Sequence, residues 1–229
     1  MKGYSQFCPV AKGAEVFNER WTPLIIRELM CGSHRFNELK HGNPLISPSL
    51  LSNRLKSLEE AGVVKKTTAS GGNSAEYHLT SAGEDLGQLV VRLGLWGMKW
   101  ARSHLTEDDY DPELLMWDVR RRIDVSEFPN TRQIIGFIFL DMPLKKRSWW
   151  LIVDKGEVDL CRKDPGYEVD LVFKTTAKTM AGVWMGYTSV KKEIKNKTLS
   201  ITGSVGLKNR LDDWLVYSVF TRPESMLKE

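Results

Sequence analysis

Cysteine is scarce in this chain of 229 residues, which contains only Cys8, Cys31 and Cys161. An odd set of cysteines without C-x-x-C spacing argues against a disulfide framework and against a structural zinc site. We therefore expect free thiols, and no metal ion or other cofactor.

Long apolar runs are absent as well. The longest uninterrupted run, Trp149 to Val153, has five residues, whereas a membrane-spanning helix needs roughly 20. The first residues, MKGYSQFCPVAKG, lack the apolar segment of a signal peptide. These absences predict a cytoplasmic protein that has no membrane partner.

Familiar catalytic motifs are also missing. The sequence contains no H-E-x-x-H, no glycine-rich phosphate loop and no G-x-S-x-G. The histidines are scattered along the chain, at His34, His41, His78 and His104. The sequence therefore favours a binding protein over an enzyme.

Excess positive charge is confined to the first half of the chain. Residues 1 to 106 hold 13 Lys and Arg against 9 Asp and Glu, whereas residues 107 to 229 hold 20 of each. Either the imbalance is due to chance or an anionic partner binds the first half. The acidic stretch HLTEDDYDPEL repels itself and predicts a boundary near residues 106 to 112, with domains at 1–106 and 113–229.

Apolar periodicity in the first domain predicts mainly helices. They are expected at residues 9 to 18, 21 to 31 and 35 to 40. The next helix begins with Ser47 as its N-cap and Pro48 at the first helical position, where the missing N–H costs nothing.

A hairpin and a long helix complete the first domain. The strands VVKKTTAS and AEYHLT are joined by Gly71-Gly72-Asn73, whose residues tolerate positive φ. Ser81 and Glu84 match a capping box, and a helix is expected from there to about His104. A short helix, a second helix and a hairpin, in that order, are typical of a winged helix-turn-helix.

The helix that begins at Ser47 has two unlike faces. Leu51, Leu55 and Leu58 share the inner face at 100° per residue. The outer face holds side chains that suit base edges and phosphates: Ser49, Ser52, Asn53 and Lys56. The alternative is an ordinary solvated helix face.

Cations on both sides of this helix favour the DNA-reading interpretation. Arg35 and Lys40 belong to the preceding short helix, and Lys65 and Lys66 open the hairpin. Arg54 lies beside the leucine face, so it either reaches a phosphate or pairs with an acid, for which Glu28, Glu38 and Glu59 are the candidates.

Three stretches resemble a known family: CPVAKGAEVFNERWTPLIIREL, RFNELKHGNPLISPSLLSNRLKSLEEAGVV and EYHLTSAGEDL. They are similar to the HxlR-type winged-helix transcriptional regulators, which are related to the MarR group. The resemblance implies a homodimer, formed through the N-terminal helix and residues 81–104, that binds a two-fold site on double-stranded DNA. One departure is Ser49, a position that is often arginine or lysine in such proteins.

Cys8 matches the N-terminal cysteine of that family, which senses oxidants or electrophiles in some members. A reactive thiol must be accessible and have a lowered pKa, for which Lys2 or Lys12 are nearby candidates. The alternative is a small side chain packed at the dimer interface.

The second domain has an α+β pattern. Strands are expected in RQIIGFIFL, RSWWLIVD, EVDLCRK and EVDLVFK, with turns at Asp154-Lys155-Gly156 and Asp164-Pro165-Gly166. Helices and one further strand follow, so we expect an antiparallel sheet with helices on one face.

The segment VWMGYTSVKKEIKNKTLSITGSVGLKNRLDDWL resembles the sterol carrier protein-like fold, which implies an apolar cavity between sheet and helices. Candidate lining residues for a small hydrophobic effector are Trp149, Phe173, Met180, Trp184 and Trp214. The alternative is that these side chains are core.

Three functional hypotheses follow. The first is a homodimeric DNA-binding regulator whose second domain either binds a small apolar ligand that controls it or is structural. The second is a lipid-binding or carrier module in which the winged helix serves only assembly. The third, narrower hypothesis is a redox-sensing regulator that acts through Cys8.

Overall fold

The computed structural model describes residues 3 to 68 and 74 to 221. These residues form two compact units, of which the first ends at Arg102 and the second begins at Ser103. Each unit has its own hydrophobic core. The acidic stretch at which the sequence placed the boundary therefore lies within the second unit.

The first unit combines helices with a two-stranded hairpin. Its elements are α1 (Pro9–Phe17), α2 (Thr22–Met30), α3 (Phe36–His41), α4 (Pro48–Glu60), β1 (Val64–Thr68), β2 (Ala75–Leu79) and α5 (Ser81–Trp100). The strands pair antiparallel, with Val64 opposite Leu79. The hairpin strands and the helix order are confirmed, whereas Gly71-Gly72-Asn73 lies outside the described residues.

Helix α4 begins and packs as its sequence predicts. The Ser47 Oγ accepts a hydrogen bond from the Leu50 N–H at 3.3 Å, so one free N–H of the first turn is satisfied. Its inward-facing leucines are at most 2% exposed: Leu51, Leu55 and Leu58. Burying one face of α4 leaves the opposite face in solvent.

Helix α5 differs from the prediction at both ends. Thr80, and not Ser81, is the N-cap, because its Oγ1 accepts a hydrogen bond from the Gly83 N–H at 3.2 Å. The same hydroxyl donates to the Gly62 carbonyl at 2.6 Å, which connects α5 to the end of α4. The helix ends at Trp100, and a short 3-10 turn follows it.

The second unit is a mixed sheet with helices. Its elements are α6 (Pro112–Arg121), β3 (Gln133–Phe139), α7 (Leu144–Arg147), β4 (Ser148–Asp154), β5 (Glu157–Cys161), β6 (Leu171–Thr175), α8 (Ala177–Trp184), α9 (Val190–Lys195), β7 (Ser200–Gly203), α10 (Val205–Asn209) and α11 (Leu211–Trp214). The strand order is β5-β4-β3-β6-β7. The helices and strands contribute to one core, in line with the α+β expectation.

The expectation of a purely antiparallel sheet is wrong, because β3 and β6 pair in parallel. The turn at Asp164-Pro165-Gly166 does form, since the Gly166 N–H donates to the Asp164 Oδ1 at 2.8 Å. It does not close a hairpin, however. The connection crosses β4 and β3, so β6 lies on the far side of β3 from β5.

The sequence also failed to predict α6. Its N-cap is Asp111, whose carboxylate accepts from the Glu113 N–H at 2.7 Å and pairs with Lys146 at 3.1 Å. Glu107 pairs with Lys178 at 2.6 Å, and Tyr110 packs against the core. The acidic stretch does not repel itself, because its carboxylates act as helix caps and ion-pair partners.

One buried carboxylate holds the first unit together. Glu28 on α2 is fully buried, and its oxygens accept hydrogen bonds from Arg27 at 2.8 Å and from the Ser33 hydroxyl at 3.2 Å. Arg27 also donates to the Gly42 carbonyl at 2.9 Å, in the turn that leads to α4. A buried charge is stable only when it is paired in this way.

Gly42→Ala tests this network. A Cβ on Gly42 would lie 1.9 Å from Glu28 Oε2, so the carboxylate must leave its partners. We expect the free energy of unfolding to fall by about 3 kcal/mol, between the costs of overpacking and of breaking a buried ion pair.

The measurement is chemical denaturation followed by circular dichroism. The control is Gly13→Ala on α1, where an added Cβ meets nothing within 4 Å. That variant should gain stability slightly, because alanine is the better helix former. Equal stability of Gly42→Ala and the unaltered chain would show that the Glu28 network does not matter.

Candidate nucleic-acid interface

The outer face of α4 is a continuous polar surface. The side chains that the sequence predicted for DNA contact are exposed on it together with Glu60: Ser47, Ser49, Ser52, Asn53 and Lys56. The buried leucines on the opposite side fix which way this face points. Hydroxyls, an amide and an ammonium are therefore held on one rigid helix, where they can donate to base edges or phosphates.

The two serines at the start of α4 contact each other. The Ser47 Oγ, which caps the helix, lies 3.2 Å from the Ser49 Oγ. Lys56, further along the same face, is only loosely paired with Glu60, at 3.8 Å between two largely exposed side chains. Such surface pairs contribute little, so the Lys56 ammonium is available to an anion.

Arg54 is engaged inside the unit. Its guanidinium pairs with Glu19 at 2.5 Å and donates to the Arg20 carbonyl at 3.1 Å. Its partner is thus none of the three acids that the sequence suggested. The side chain ties α4 to the turn between α1 and α2, so it sets the position of α4 on the unit.

The remaining predicted cations lie on neighbouring elements. Arg35 precedes α3 and pairs with Glu76 on β2 at 3.3 Å, although it is largely exposed. Lys65 and Lys66 are exposed on β1, a strand that contacts α4. Lys40 donates to the Pro44 carbonyl at 2.7 Å, which occupies its ammonium. The free positive charge beside α4 is therefore mainly that of β1.

The sequence pattern did not single out Leu45 as a candidate contact residue. Leu45 lies in the turn before α4. Its side chain is 82% exposed, although the next residue, Ile46, is buried in the core. The sequence could have indicated this exposure, because the short turn from Gly42 to Ser47 needs only one buried apolar side chain. An exposed apolar side chain beside a polar helix face suits contact with a thymine methyl group.

A second surface of the first unit is apolar. One side of α5 exposes between 46% and 60% of each of four large side chains: Leu89, Leu93, Trp96 and Trp100. Near the N-terminus, Phe7 and Val10 are more exposed still. Apolar surface on this scale marks a contact site for another molecule.

Cys8 is a half-buried free thiol at the N-cap of α1. Lys12, one of the cations proposed to activate it, is paired with Glu15 at 3.0 Å. The other, Lys2, lies outside the described residues. Among the described residues, no cation near Cys8 is therefore reserved for its thiol.

The five aromatic and methionine side chains proposed as a ligand pocket all lie in the core of the second unit. The indole N–H groups of Trp149 and Trp214 donate to main-chain carbonyls at 2.8 and 2.9 Å. Phe173 stacks on Phe137, with ring centroids 4.6 Å apart. Trp184 differs, because its buried N–H has no partner among the described residues.

Residues 3 to 68 and 74 to 221 contain neither a membrane-spanning helix nor a metal-ligand cluster. No helix among them is both long and apolar enough to span a membrane. No three histidine, cysteine, aspartate or glutamate side chains of that part of the chain come together as metal ligands would.

Comparison with known proteins identifies the first unit. Residues 16–105 match the family model described as HxlR-like helix-turn-helix. YvaP of Bacillus subtilis (strain 168), an uncharacterized HTH-type transcriptional regulator, is 36% identical over 98 residues, which cover 42% of this chain and 91% of that protein. YkvN of the same strain, described in the same words, is 33% identical over 112 residues, covering 48% and 93%.

Solved structures give matches that cover a similar share of the chain. The reduced form of the transcriptional regulator YodB from Bacillus subtilis is 30% identical and covers 43% of this chain and 98% of that one, with a TM-score of 0.37. The redox regulator HypR in its reduced form is 27% identical and covers 42% and 96%, with a TM-score of 0.39.

The family model covers residues 16–105, which include α2 to α5 and the hairpin of the first unit. The chain belongs to the HxlR-like helix-turn-helix family of transcriptional regulators.

Proposed function

We propose that this chain binds a two-fold site on duplex DNA as a homodimer and reads it with the outer face of α4. The observation that carries the proposal is the exposed polar face of that helix, with its hydroxyls, amide and ammonium opposite a buried leucine face. Because each copy presents the same helix, a symmetric pair of copies matches a two-fold site.

The charges along α4 orient the helix on DNA. Glu59 and Glu60 are exposed at its C-terminal end, where they would repel phosphates, whereas its N-terminal end carries Ser47 and Ser49. The N-terminal half therefore enters the groove. Lys56 and the two lysines of β1 contact the backbone, which adds affinity without sequence preference.

Two further side chains take part in the proposal. Arg54 acts through the position of α4, because its guanidinium is occupied by Glu19 and the Arg20 carbonyl. Leu45 contacts DNA from the turn before α4, where its side chain is exposed. The proposed contact area therefore begins before Ser47.

The apolar side of α5 is the proposed dimer contact. Tryptophans that are more than half exposed cost little conformational entropy to bury and contribute strongly to interfaces. The exposed N-terminal side chains Phe7 and Val10 extend the same kind of surface. A second copy of this chain is the occupant that buries both in a closed, symmetric contact.

A ligand-binding role for the second unit is the second candidate function, and Trp184 is the observation that favours it. A buried N–H without a partner costs about 1 to 3 kcal/mol, and an acceptor atom on a bound molecule would recover that cost. The resemblance to the sterol carrier protein-like fold points to a small, mainly apolar effector with one such acceptor.

Substitutions on α4 test the DNA proposal. Ser49→Ala should weaken binding to the upstream region of the chain's own gene by about 1 kcal/mol, or roughly fivefold in Kd, through the loss of one hydrogen bond. Lys56→Ala should lower the slope of log Kd against log salt by about 0.9, the value for one phosphate contact.

Fluorescence anisotropy with labelled duplexes measures both effects. The control substitutions are Ser57→Ala, at the side of α4, and Lys12→Ala on α1, which should leave affinity and slope unchanged. If the unaltered chain binds a random duplex as tightly as its upstream region, the proposal fails.

Substitutions on α5 test the dimer. Trp96→Glu combined with Trp100→Glu should raise the dimer Kd by about a hundredfold or more, because interface tryptophans commonly contribute 2 kcal/mol or more each. Sedimentation equilibrium measures this change. The control, Leu144→Glu, alters an exposed apolar side chain of the second unit and should leave the dimer intact.

A monomeric unaltered chain, or a double variant that dimerises equally well, would exclude α5 as the interface. Circular dichroism of the double variant confirms that loss of the dimer is not loss of the fold.

Native mass spectrometry tests the effector. We expect a retained mass on the purified chain that disappears on denaturation, together with an upward shift in Tm when the extracted compound is added back. A chain without extra mass, whose Tm no extracted compound raises, would rule out a tightly held ligand.

A further inference from the structure

The second unit carries a cluster of lysines that the proposed function does not use. We name it the lysine surface, and it consists of four exposed side chains on α9 and the turn that follows: Lys191, Lys192, Lys195 and Lys197. None of them forms an ion pair with an acid of the described residues. Four unpaired cations within seven residues are a strong local positive charge.

Many other cations of the second unit are neutralised by contact. Lys146 pairs with Asp111 at 3.1 Å, Lys178 with Glu107 at 2.6 Å, and Arg132 with Asp154 at 2.9 Å. Residues 107 to 229 contain equal numbers of acidic and basic side chains, but their charges are therefore not paired evenly along the chain. On α9 and the turn after it, four exposed lysines without an ion pair among the described residues lie within seven positions of the chain.

The acid inside the cluster, Glu193, is hydrogen-bonded to two threonines and also feels the nearby charge of Lys192. The Thr188 and Thr198 hydroxyls each donate to one oxygen of the Glu193 carboxylate, both at 2.5 Å. These hydrogen bonds hold the pKa of Glu193 below its usual value, so the group stays ionised at neutral pH. Its two oxygens are occupied by hydroxyls and form no ion pair with the lysines around it.

The backbone that presents the lysines is fixed. Ser189 caps α9 by accepting from the Lys192 N–H at 3.3 Å, while Val190 and Leu199 are buried on either side of the cluster. Lys191 and Lys195 are one helical turn apart and so share a face of the helix. Because this backbone is already ordered, little backbone entropy is lost when the ammonium groups contact a row of negative charges.

We propose that the lysine surface binds the phosphate backbone of duplex DNA outside the site read by α4. The inference rests on the proposed function, because a chain that holds DNA through its first unit raises the local concentration of phosphate around its second unit. Ammonium groups suit this role, since they bind phosphates as point charges without requiring a particular base.

An anionic membrane is the less suitable partner. Helices that bind membranes bury an apolar face among the lipids, whereas Val190 of α9 is already packed in the protein core and Ile194 is only 43% exposed. The surface offers charge without an insertable apolar face, as a phosphate backbone requires.

The test compares two triple variants of the full-length chain. The first is Lys191→Gln, Lys192→Gln and Lys195→Gln. The matched control is Lys145→Gln, Lys155→Gln and Lys163→Gln, which removes the same charge from exposed lysines of the same unit that form no described ion pair. Both variants have equal net charge, so a difference in their DNA binding shows that the location of the lysines matters.

Salt dependence of DNA binding is the readout, on the upstream site with long flanks and on the same site without flanks. On the flanked duplex, the first triple should lower the slope of log Kd against log salt by about 1 to 3, since each phosphate contact contributes about 0.9. The control triple should lower it by less than half as much. On the trimmed duplex the two triples should behave alike.

Three outcomes would overturn the inference. Equal slopes for the two triples on flanked DNA, with site preference retained, would refute the lysine surface and leave the proposed function standing. Absence of site preference in the unaltered chain would refute both. Unchanged DNA slopes, combined with weaker binding of the first triple to phosphatidylserine-containing vesicles, would assign the surface to lipid.

Discussion

The position of α4 depends on one buried carboxylate. Glu28 lies in the core of the first unit, where an unpaired charge would be unstable, so it must keep Arg27 and the Ser33 hydroxyl. Arg27 in turn holds the Gly42 carbonyl, at the start of the turn that leads into α4. Because Gly42 has no side chain, the carboxylate and the turn can lie against each other. An interaction in the core thus sets the position of residues on the surface.

Two arginines of the first unit differ in their contacts from the exposed lysines of β1 and α9. The arginines that matter for structure, such as Arg27 and Arg54, each bind a carboxylate and a main-chain carbonyl at once, as a planar guanidinium with several donors allows. The lysines of β1 and α9 remain exposed. Exposed ammonium groups keep most of their hydration until an anion arrives, and they gain from releasing the counterions of DNA. The structure thus uses Arg27 and Arg54 to position α4, and the proposed phosphate contacts are assigned to exposed lysines.

Local signals in the sequence predicted α4 well, because its N-cap, its proline and its leucine spacing all act within one helix. The outer face followed from the same periodicity. The parallel pairing of β3 with β6 was not predictable in this way, since a crossover connection and a hairpin can share the same Asp-Pro-Gly turn. Likewise, the role of Asp111 as a cap for α6 depends partly on Lys146, a residue distant in sequence. Prediction failed where the partner of a residue lies far along the chain.

The partners of Arg54 and the exposure of α5 show a further limit of prediction from the sequence. Periodicity places Leu89, Leu93 and Trp96 on one side of a helix, but the same spacing occurs whether that side meets a core or another molecule. Only the structure distinguishes the two, because it shows Val90 buried in the first unit while its neighbours stand in solvent. Arg54 is the converse case, a cation beside the polar face of α4 whose charge is already paired within the unit. Both cases have the same physical basis: a side chain is available to a partner only when the fold has left its surface or its charge unsatisfied.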